Sequence, residues 1–153
     1  MKTLLAVLLL AVVNVAAAGT LTLTLEIYRF AGEAGLMKDL TPVAQLEMLS
    51  DKAPEISQTI GVLPDASVRS ATTVGTLALK IDALAKPAKA GGYAIDLKVS
   101  LAEQVFPVAS SSVANAKLGL FPGQRQVIAT LGEQTDCAST RWTVMVAGLG
   151  KES

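Results

Sequence analysis

The sequence reads LALKIDAL at residues 77–84 and YAIDLKVSL at residues 93–101. In both stretches the odd-numbered residues are apolar, and Lys80 and Asp82 occupy even-numbered positions of the first. Successive side chains of a strand point to opposite faces, so this period of two predicts two β-strands, each buried on one face. Residues 85–92 contain a proline and a Gly-Gly pair, which predict the loop that joins the strands.

Weaker versions of the same alternation occur along most of the chain. The first of the two strands described above extends back to Thr73. Together, the alternating patterns predict strands at residues 20–30, 43–49, 55–62, 73–84, 93–101, 113–120, 125–131 and 140–147. Residues 105–112 contain a proline and three consecutive serines and are predicted to form a loop or a ragged edge, and no segment shows a convincing amphipathic helical pattern. Because antiparallel sheets with one solvated face give this alternation, we expect an all-β fold, an antiparallel β-sandwich or compact sheet of about seven or eight strands.

The first eighteen residues have the composition of a signal peptide. Lys2 supplies a positive charge, residues 4–13 form an unbroken apolar run, and Ala16-Ala17-Ala18 supplies small residues for the cleavage site. The apolar run is shorter than the roughly 20 residues that a membrane-spanning helix needs. We therefore expect cleavage after Ala18 and a single exported all-β domain over residues 19–153, with any membrane association made without a spanning helix.

The charge balance argues against a nucleic-acid partner. The chain has 13 basic and 13 acidic residues, and removal of Lys2 with the leader leaves a net charge of about −1. Proteins that bind nucleic acids neutralise phosphates with clustered Lys and Arg and often stack bases on aromatic rings. Only 4% of the residues are aromatic, so we expect no nucleic-acid binding.

Cys137 is the only cysteine of the chain. In an oxidising compartment it has no partner for an internal disulfide, so packing alone must stabilise the fold. Two interpretations stay open: a buried, inert thiol, or an intermolecular disulfide, since Cys137 follows the polar residues Thr135 and Asp136.

The chain has no histidine, which excludes Ser-His-Asp and Cys-His catalysis and the commonest zinc ligand. No phosphate-binding glycine motif is present, and we expect no cofactor. Pairs of carboxylates remain as a possible hydrolytic centre. The acidic residues on or near strands are expected to lie on solvated faces instead: Glu26, Glu47, Asp82, Asp96 and Glu103. Trp142 begins an alternating apolar stretch and is expected in the core, so we predict a non-enzymatic protein.

Two stretches resemble the β-domain of secretins, the outer-membrane ring proteins of bacterial secretion systems. The first is Val74-Gly75-Thr76-Leu77-Ala78-Leu79-Lys80-Ile81, followed by a loop and the strand at residues 93–101. The second is LGLFPGQRQVIA at residues 118–129, which is similar to the family's arrangement of a strand, a Gly-Gln turn and another strand. The likeness extends from about Ile56 to Leu131. The family's gate segment and its N-terminal ring-building modules are not found in this sequence.

The resemblance implies an envelope protein, located in the periplasm or associated with the outer membrane, that acts as an interaction or assembly module. Its partners are then other envelope proteins or further copies of itself. The candidate family-motif or interaction residues are Gly75, Gly123 and Gln124.

Two other functions stay open. One is a secreted β-sandwich that binds a small ligand or acts as an inhibitor, which requires a concave apolar pocket of a few hundred Å³. The other is a small outer-membrane barrel, since eight strands are enough to close one. The aromatic residues that such barrels place at both membrane interfaces are few, with one Trp, two Tyr and three Phe.

Overall fold

The computed structural model describes residues 21–33, 35–105, 108–134 and 139–150. These residues form eight β-strands, one short α-helix and one 3₁₀ turn, which confirms the predicted all-β class. In chain order they are β1 (Leu21–Gly32), α1 (Pro42–Met48), the 3₁₀ turn (Leu49–Asp51), β2 (Ile56–Val62), β3 (Ser67–Val74), β4 (Leu77–Pro87), β5 (Tyr93–Val105), β6 (Val108–Leu120), β7 (Arg125–Gln134) and β8 (Thr140–Leu149).

The strands form two open, four-stranded antiparallel sheets. Sheet A has the order β2-β1-β8-β7, and sheet B has the order β3-β4-β5-β6. Sheet B is a meander of consecutive strands, whereas sheet A joins the first two strands of the chain to the last two. The chain passes from sheet A to sheet B after β2 and returns after β6, which makes the fold the predicted antiparallel sandwich.

The main core lies between the two sheets and follows the period-two pattern. The odd-numbered residues of β4 and β5 face sheet A, and Leu79 and Val99 are fully buried. The facing side chains of β1 include Leu25 and Ile27, which are also fully buried. Each such aliphatic side chain contributes about 1.5–3 kcal/mol on burial, so this layer is the main source of stability.

A second, smaller apolar cluster lies on the other face of sheet A. Trp142, Val144 and Val146 of β8 pack there against Met37 and Leu49, which flank α1 in the chain. The indole Nε1 of Trp142 donates a hydrogen bond of 3.1 Å to the backbone carbonyl of Glu33, and the side chain is buried, as expected for a core residue. The molecule therefore has three layers: the helical segment, sheet A and sheet B.

The prediction of a strand at residues 43–49 is wrong, because this segment forms α1. Thr41 is its N-cap, with its hydroxyl accepting a hydrogen bond of 3.2 Å from the backbone N–H of Ala44, and Pro42 occupies the first turn. Both are strong helix-start signals. Ala44, Leu46 and Met48 alternate as in a strand. The helix has only seven residues, which is too short to show a helical period clearly. No helix within the described ranges is long and apolar enough to cross a membrane.

Two other strand boundaries differ from the prediction. Of the loop or ragged edge expected at residues 105–112, the loop is wrong, because β5 continues to Val105 and the edge strand β6 begins at Val108 and includes all three serines. Residues 106 and 107 lie outside the described residues. Serines are tolerated in this part of the strand because β6 lies at the edge of sheet B, where side chains are not enclosed. The expected strand at residues 73–84 is two strands, since β3 ends at Val74 and β4 begins at Leu77.

Candidate assembly surface

Each sheet ends in two strands that pair on one side only. Sheet B ends in β3 and β6, and sheet A ends in β2 and β7. The unpaired N–H and C=O groups of an edge strand are available to a strand of another chain. β6 has 13 residues and pairs along its whole length with β5, from Tyr93–Leu120 to Val105–Val108. It is therefore the longest edge among the described strands.

The inner face of β6 changes in size along the strand. Near the turn at Gly123 it carries Leu118 and Leu120, which are buried in the main core. Toward the opposite end it carries Ala116, Ala114, Ser112 and Ser110, which are progressively smaller or more polar. At the serine end of β6 a cleft opens between the sheets.

This cleft has a volume of about 350 Å³ and is lined by both charged or hydroxyl side chains and leucines. Sheet B contributes Glu103 and the serines at 110–112, and sheet A contributes Arg29, Glu133 and Arg141. Leu77, Leu101 and Leu131 form its apolar part. The cleft thus combines a charged cluster with apolar walls, and its volume falls within the range of pockets that hold small ligands.

Glu103 joins the two sheets inside the cleft through two arginines. Arg29 Nη1 donates a hydrogen bond to Glu103 Oε2 and lies 3.7 Å from Glu55 Oε1. Arg141 Nη1 lies 3.3 Å from Glu103 Oε1, and its Nη2 donates a bond of 2.7 Å to Glu133 Oε2. The Arg29 and Glu103 side chains are only 9% and 17% exposed, so the expectation of a solvated face for Glu103 is wrong.

The electrostatics of this cluster oppose acid catalysis. The hydrogen bond from Arg29 lowers the pKa of Glu103 below its ordinary value, against the opposing effect of burial, and the charge of Arg141 adds to the lowering. The hydrogen bond to Glu133 raises the pKa of Arg141. A carboxylate hydrolase needs one protonated acid, which requires a raised pKa. Glu103 is instead held ionised, and no group of three potential ligands for a metal ion occurs among the described residues.

A second polar cluster ties β1 to β7 on the other face of sheet A. The Tyr28 hydroxyl donates a bond of 2.8 Å to Glu26 Oε2, and Arg125 Nη2 donates to Glu26 Oε1 at 2.7 Å and to the Tyr28 oxygen at 3.1 Å. Burial and the adjacent Glu26 raise the pKa of Tyr28. Arg125 reaches across β8 at Gly148, where the absence of a side chain leaves room for its methylene groups. The cluster therefore links β1 to β7 across β8, with the Glu26 and Arg125 charges paired.

Gly75 lies in the two-residue turn between β3 and β4. Its φ of +60° is the left-handed conformation that two-residue hairpin turns require at their first central position. The carbonyl of Thr76, the other turn residue, accepts a bond of 3.1 Å from the N–H of Gln104. The geometry accounts for this glycine as a turn residue.

Gly123 and Gln124 form the turn by which the chain returns to sheet A. Gly123 has a φ of +90° after Pro122, and the N–H of Gln124 donates a bond of 3.0 Å to the carbonyl of Phe121, as in a type II turn. The Gln124 side-chain oxygen accepts a bond of 2.9 Å from the N–H of Phe121. The Gly123 N–H also donates to the carbonyl of Leu149 at 2.7 Å. The Gln124 amide oxygen is therefore engaged inside the turn.

The structure does not bring the predicted motif residues together. Gly75 precedes Leu77, which pairs with Glu103, whereas Gly123 follows Leu120, which pairs with Tyr93. Glu103 and Tyr93 are ten residues apart in β5, so the two turns are separated by about 33 Å along the strand, at 3.3 Å per residue. Cys137 lies outside the described residues, and its role stays a prediction.

A solved structure shares this fold. The chain is similar to the structure of the Salmonella SPI-1 type III secretion injectisome secretin InvG (residues 176-end) in the open gate state, with a TM-score of 0.51 and 9% sequence identity. The match covers 97% of this chain and about two thirds of the other, 65% of its length. No family model and no curated protein sequence matches the chain. The predicted resemblance to a secretin is thus confirmed as a similarity of fold.

Proposed function

We propose that this protein is an exported, non-enzymatic assembly module of the bacterial cell envelope, located in the periplasm or at the outer membrane. In this function it joins further copies of itself, or other envelope proteins, through the free edges of its sheets. The observation that supports the proposal is the similarity of fold to the secretin InvG, in a match that covers 97% of this chain and 65% of the other.

The edges of sheet B supply a physical route to assembly. β3 and β6 are parts of one sheet, so the addition of β6 of one copy to β3 of the next would continue the sheet from copy to copy. The free edge of β6 has no partner strand among the described residues, since β6 pairs with β5 alone. The Arg29–Glu103–Arg141 cluster fixes sheet B to sheet A behind this edge, so the strand is presented by a rigid support.

Export is the first part of the proposal to be tested. The protein is purified from the envelope fraction of a bacterial host, and its intact mass is measured. We expect a chain that begins at Gly19, because Ala16 and Ala18 are small residues at the positions that signal peptidase recognises. A mass that includes residues 1–18 would contradict cleavage.

Two neighbouring proline variants test assembly through β6. In an antiparallel edge strand, the backbone groups of successive residues point alternately to the paired strand and to the free side. One of Val113→Pro and Ala114→Pro therefore removes an N–H that bonds β5 and lowers the stability of the monomer. The other removes an N–H on the free side, and we expect it to fold normally and to lose self-association in light scattering.

The two variants control each other, because both place the same residue type in the same strand. Wild-type assembly that persists in the variant with a normal unfolding transition would overturn pairing through β6. Scattering of the wild-type protein with and without reductant tests Cys137 separately. An oligomer that dissociates on reduction would assign self-association to a Cys137 disulfide instead of to strand edges.

A further inference from the structure

The outer face of sheet B carries a concentration of positive charge. Its side chains are the even-numbered residues of β4 and β5, since the odd-numbered ones are buried. The register places the following charged residues on this face: Arg69, Lys80, Asp82, Lys86, Asp96, Lys98 and Lys117. Five cations against two carboxylates give the face a net charge of +3. Within the described residues the rest of the molecule has six cations and nine carboxylates, a net charge of −3.

This face is also hollow. A shallow depression of about 650 Å³ lies over β3 to β6, and its charged lining residues are Arg69, Lys98 and Lys117 with Asp82 and Asp96, a net charge of +1. Arg69 Nε forms an ion pair of 2.9 Å with Asp82, and Asp96 lies directly opposite Lys117 in the sheet. Lys80 and Lys86 lie opposite uncharged residues, so their charges are not balanced across the strands.

The opposite side of the molecule has the complementary charge and shape. This helical side consists of Glu33 and residues 35–52, which cover the outer face of sheet A. It carries four exposed carboxylates against Lys38 and Lys52, a net charge of −2, and the carboxylates are Glu33, Asp39, Glu47 and Asp51. Val43 of α1 is 68% exposed. The seven residues of α1 form a ridge about 10 Å long on this side.

We propose that the basic hollow of sheet B receives the helical side of a second copy of this chain. The contact joins two different surfaces on opposite sides of the molecule, so it is heterologous and generates a closed ring or a filament. This contact joins the faces of two molecules, whereas the proposed assembly through β6 joins the edges of their sheets. Charge complementarity of this kind directs the orientation of docking and depends strongly on salt.

Two charge-reversal variants of the full chain, and their mixture, test this contact. K80E/K86E reverses part of the basic face, and E47K/D51K reverses part of the helical side. None of these four residues has a resolved ion pair in the structure, so we expect both variants to fold. At about 10 mM salt, where the Debye length is about 30 Å, each variant alone should self-associate about tenfold more weakly than the wild type in sedimentation velocity.

The mixture is the decisive measurement. Alternating copies would match every reversed surface with an opposite charge, so equimolar K80E/K86E and E47K/D51K should form mixed oligomers with about wild-type affinity. Raising the salt to about 150 mM, where the Debye length is about 8 Å, should weaken them.

Three results would overturn the inference. In the first, both variants associate like the wild type while the free-edge proline variant does not, which leaves the proposed function intact. In the second, the mixture does not restore association. In the third, the wild type stays monomeric at low salt and binds phosphatidylcholine vesicles that contain phosphatidylglycerol, which would assign the basic face to an anionic lipid surface.

Discussion

Gly75 and Gly123 are the turn glycines of the two secretin-like stretches, and both have a positive φ, whereas Gly119 lies within β6. The sequence resemblance therefore rests at least partly on turn geometry, which any chain needs where two strands of these sheets are joined at this spacing. Gln124 fits the same explanation, because its side chain bonds to the N–H of Phe121 within its own turn. Sequence alone does not separate a turn motif from an interaction motif, since both select the same residues.

Gly75→Ala tests the conformational role of this glycine. A Cβ at Gly75 would meet no atom within 4 Å, so the expected loss of about 1–2 kcal/mol in the free energy of unfolding is purely backbone strain. The matched control is Gly61→Ala in β2, where a Cβ also meets nothing within 4 Å and φ is not positive. We expect it to be neutral or stabilising by up to about 1 kcal/mol. Urea unfolding followed by Trp142 fluorescence measures both, and equal effects would contradict the turn argument.

Glu103 should make stability depend on acid pH. Its pKa is lowered in the folded state by the hydrogen bond from Arg29, so the ionised form favours folding. This contribution is complete above the unfolded pKa of about 4.3 and is lost as the pH falls through the lower folded value. Glu103→Gln should cost about 1–3 kcal/mol at pH 7 and should show a smaller further loss between pH 5 and pH 3.

Glu133→Gln is the control for this measurement, because Glu133 bonds the same Arg141 but is 64% exposed. We expect a change below about 1 kcal/mol for this surface pair. If Glu103→Gln retained the full acid dependence of the wild type, the assignment to Glu103 would be wrong.

At the level of elements, the sequence predicts the strands in which one face is fully buried in the core. β4 and β5 were found because Leu79, Ile81, Leu97 and Val99 repeat the period of two without interruption. β3 was missed, since as an edge strand it buries little and its pattern is weak. α1 was missed although Thr41-Pro42 signalled it, because two turns of helix carry too few residues for a clear period.

The charged cleft had a detectable sequence signal that a register argument could have used. Arg29 continues the inward series Leu25 and Ile27, and Glu103 continues the inward series Val99 and Leu101. Opposite charges at inward-facing positions of two strands predict a buried ion pair only when these parts of the strands are known to lie next to each other. That juxtaposition depends on the order of strands across two sheets, which local periodicity does not contain.

Gln45 of α1 holds the helical layer to sheet A. Its buried amide donates to the carbonyl of Met37 at 3.0 Å and accepts from the Thr130 hydroxyl at 2.7 Å. Gln45→Ala should lower the free energy of unfolding by about 1–3 kcal/mol, because buried polar partners lose their bonds. Glu47→Ala, an exposed change in the same helix, should stay within about 0.5 kcal/mol. Thermal unfolding of both variants measures the difference, and a neutral Gln45→Ala would show that the helix is held by its apolar contacts alone.

For the whole molecule, assembly through sheet edges predicts a specific pattern of hydrogen exchange. In the monomer, alternate amides of β3 and β6 have no partner strand and should exchange much faster than those of the central strands β1, β4, β5 and β8. In the oligomer, β3 and β6 should become protected while the central strands stay unchanged. Protection confined to the helical segment and the outer face of sheet B would favour contact between faces instead of edges.

The strand order of the two sheets has a consequence for how the chain acquires its structure. Sheet B is built from consecutive strands, whereas β1 pairs with β8, and Ile27 lies opposite Met145 at a separation of 118 residues. Pairings that are distant in the sequence form slowly, because the intervening chain must first lose entropy. During synthesis from the N-terminus, the alternating strand β1 would be exposed before β8 has been made. Sheet B would fold first, and the closure of β1 against β8 would be the rate-limiting step during which the nascent protein is most prone to aggregate.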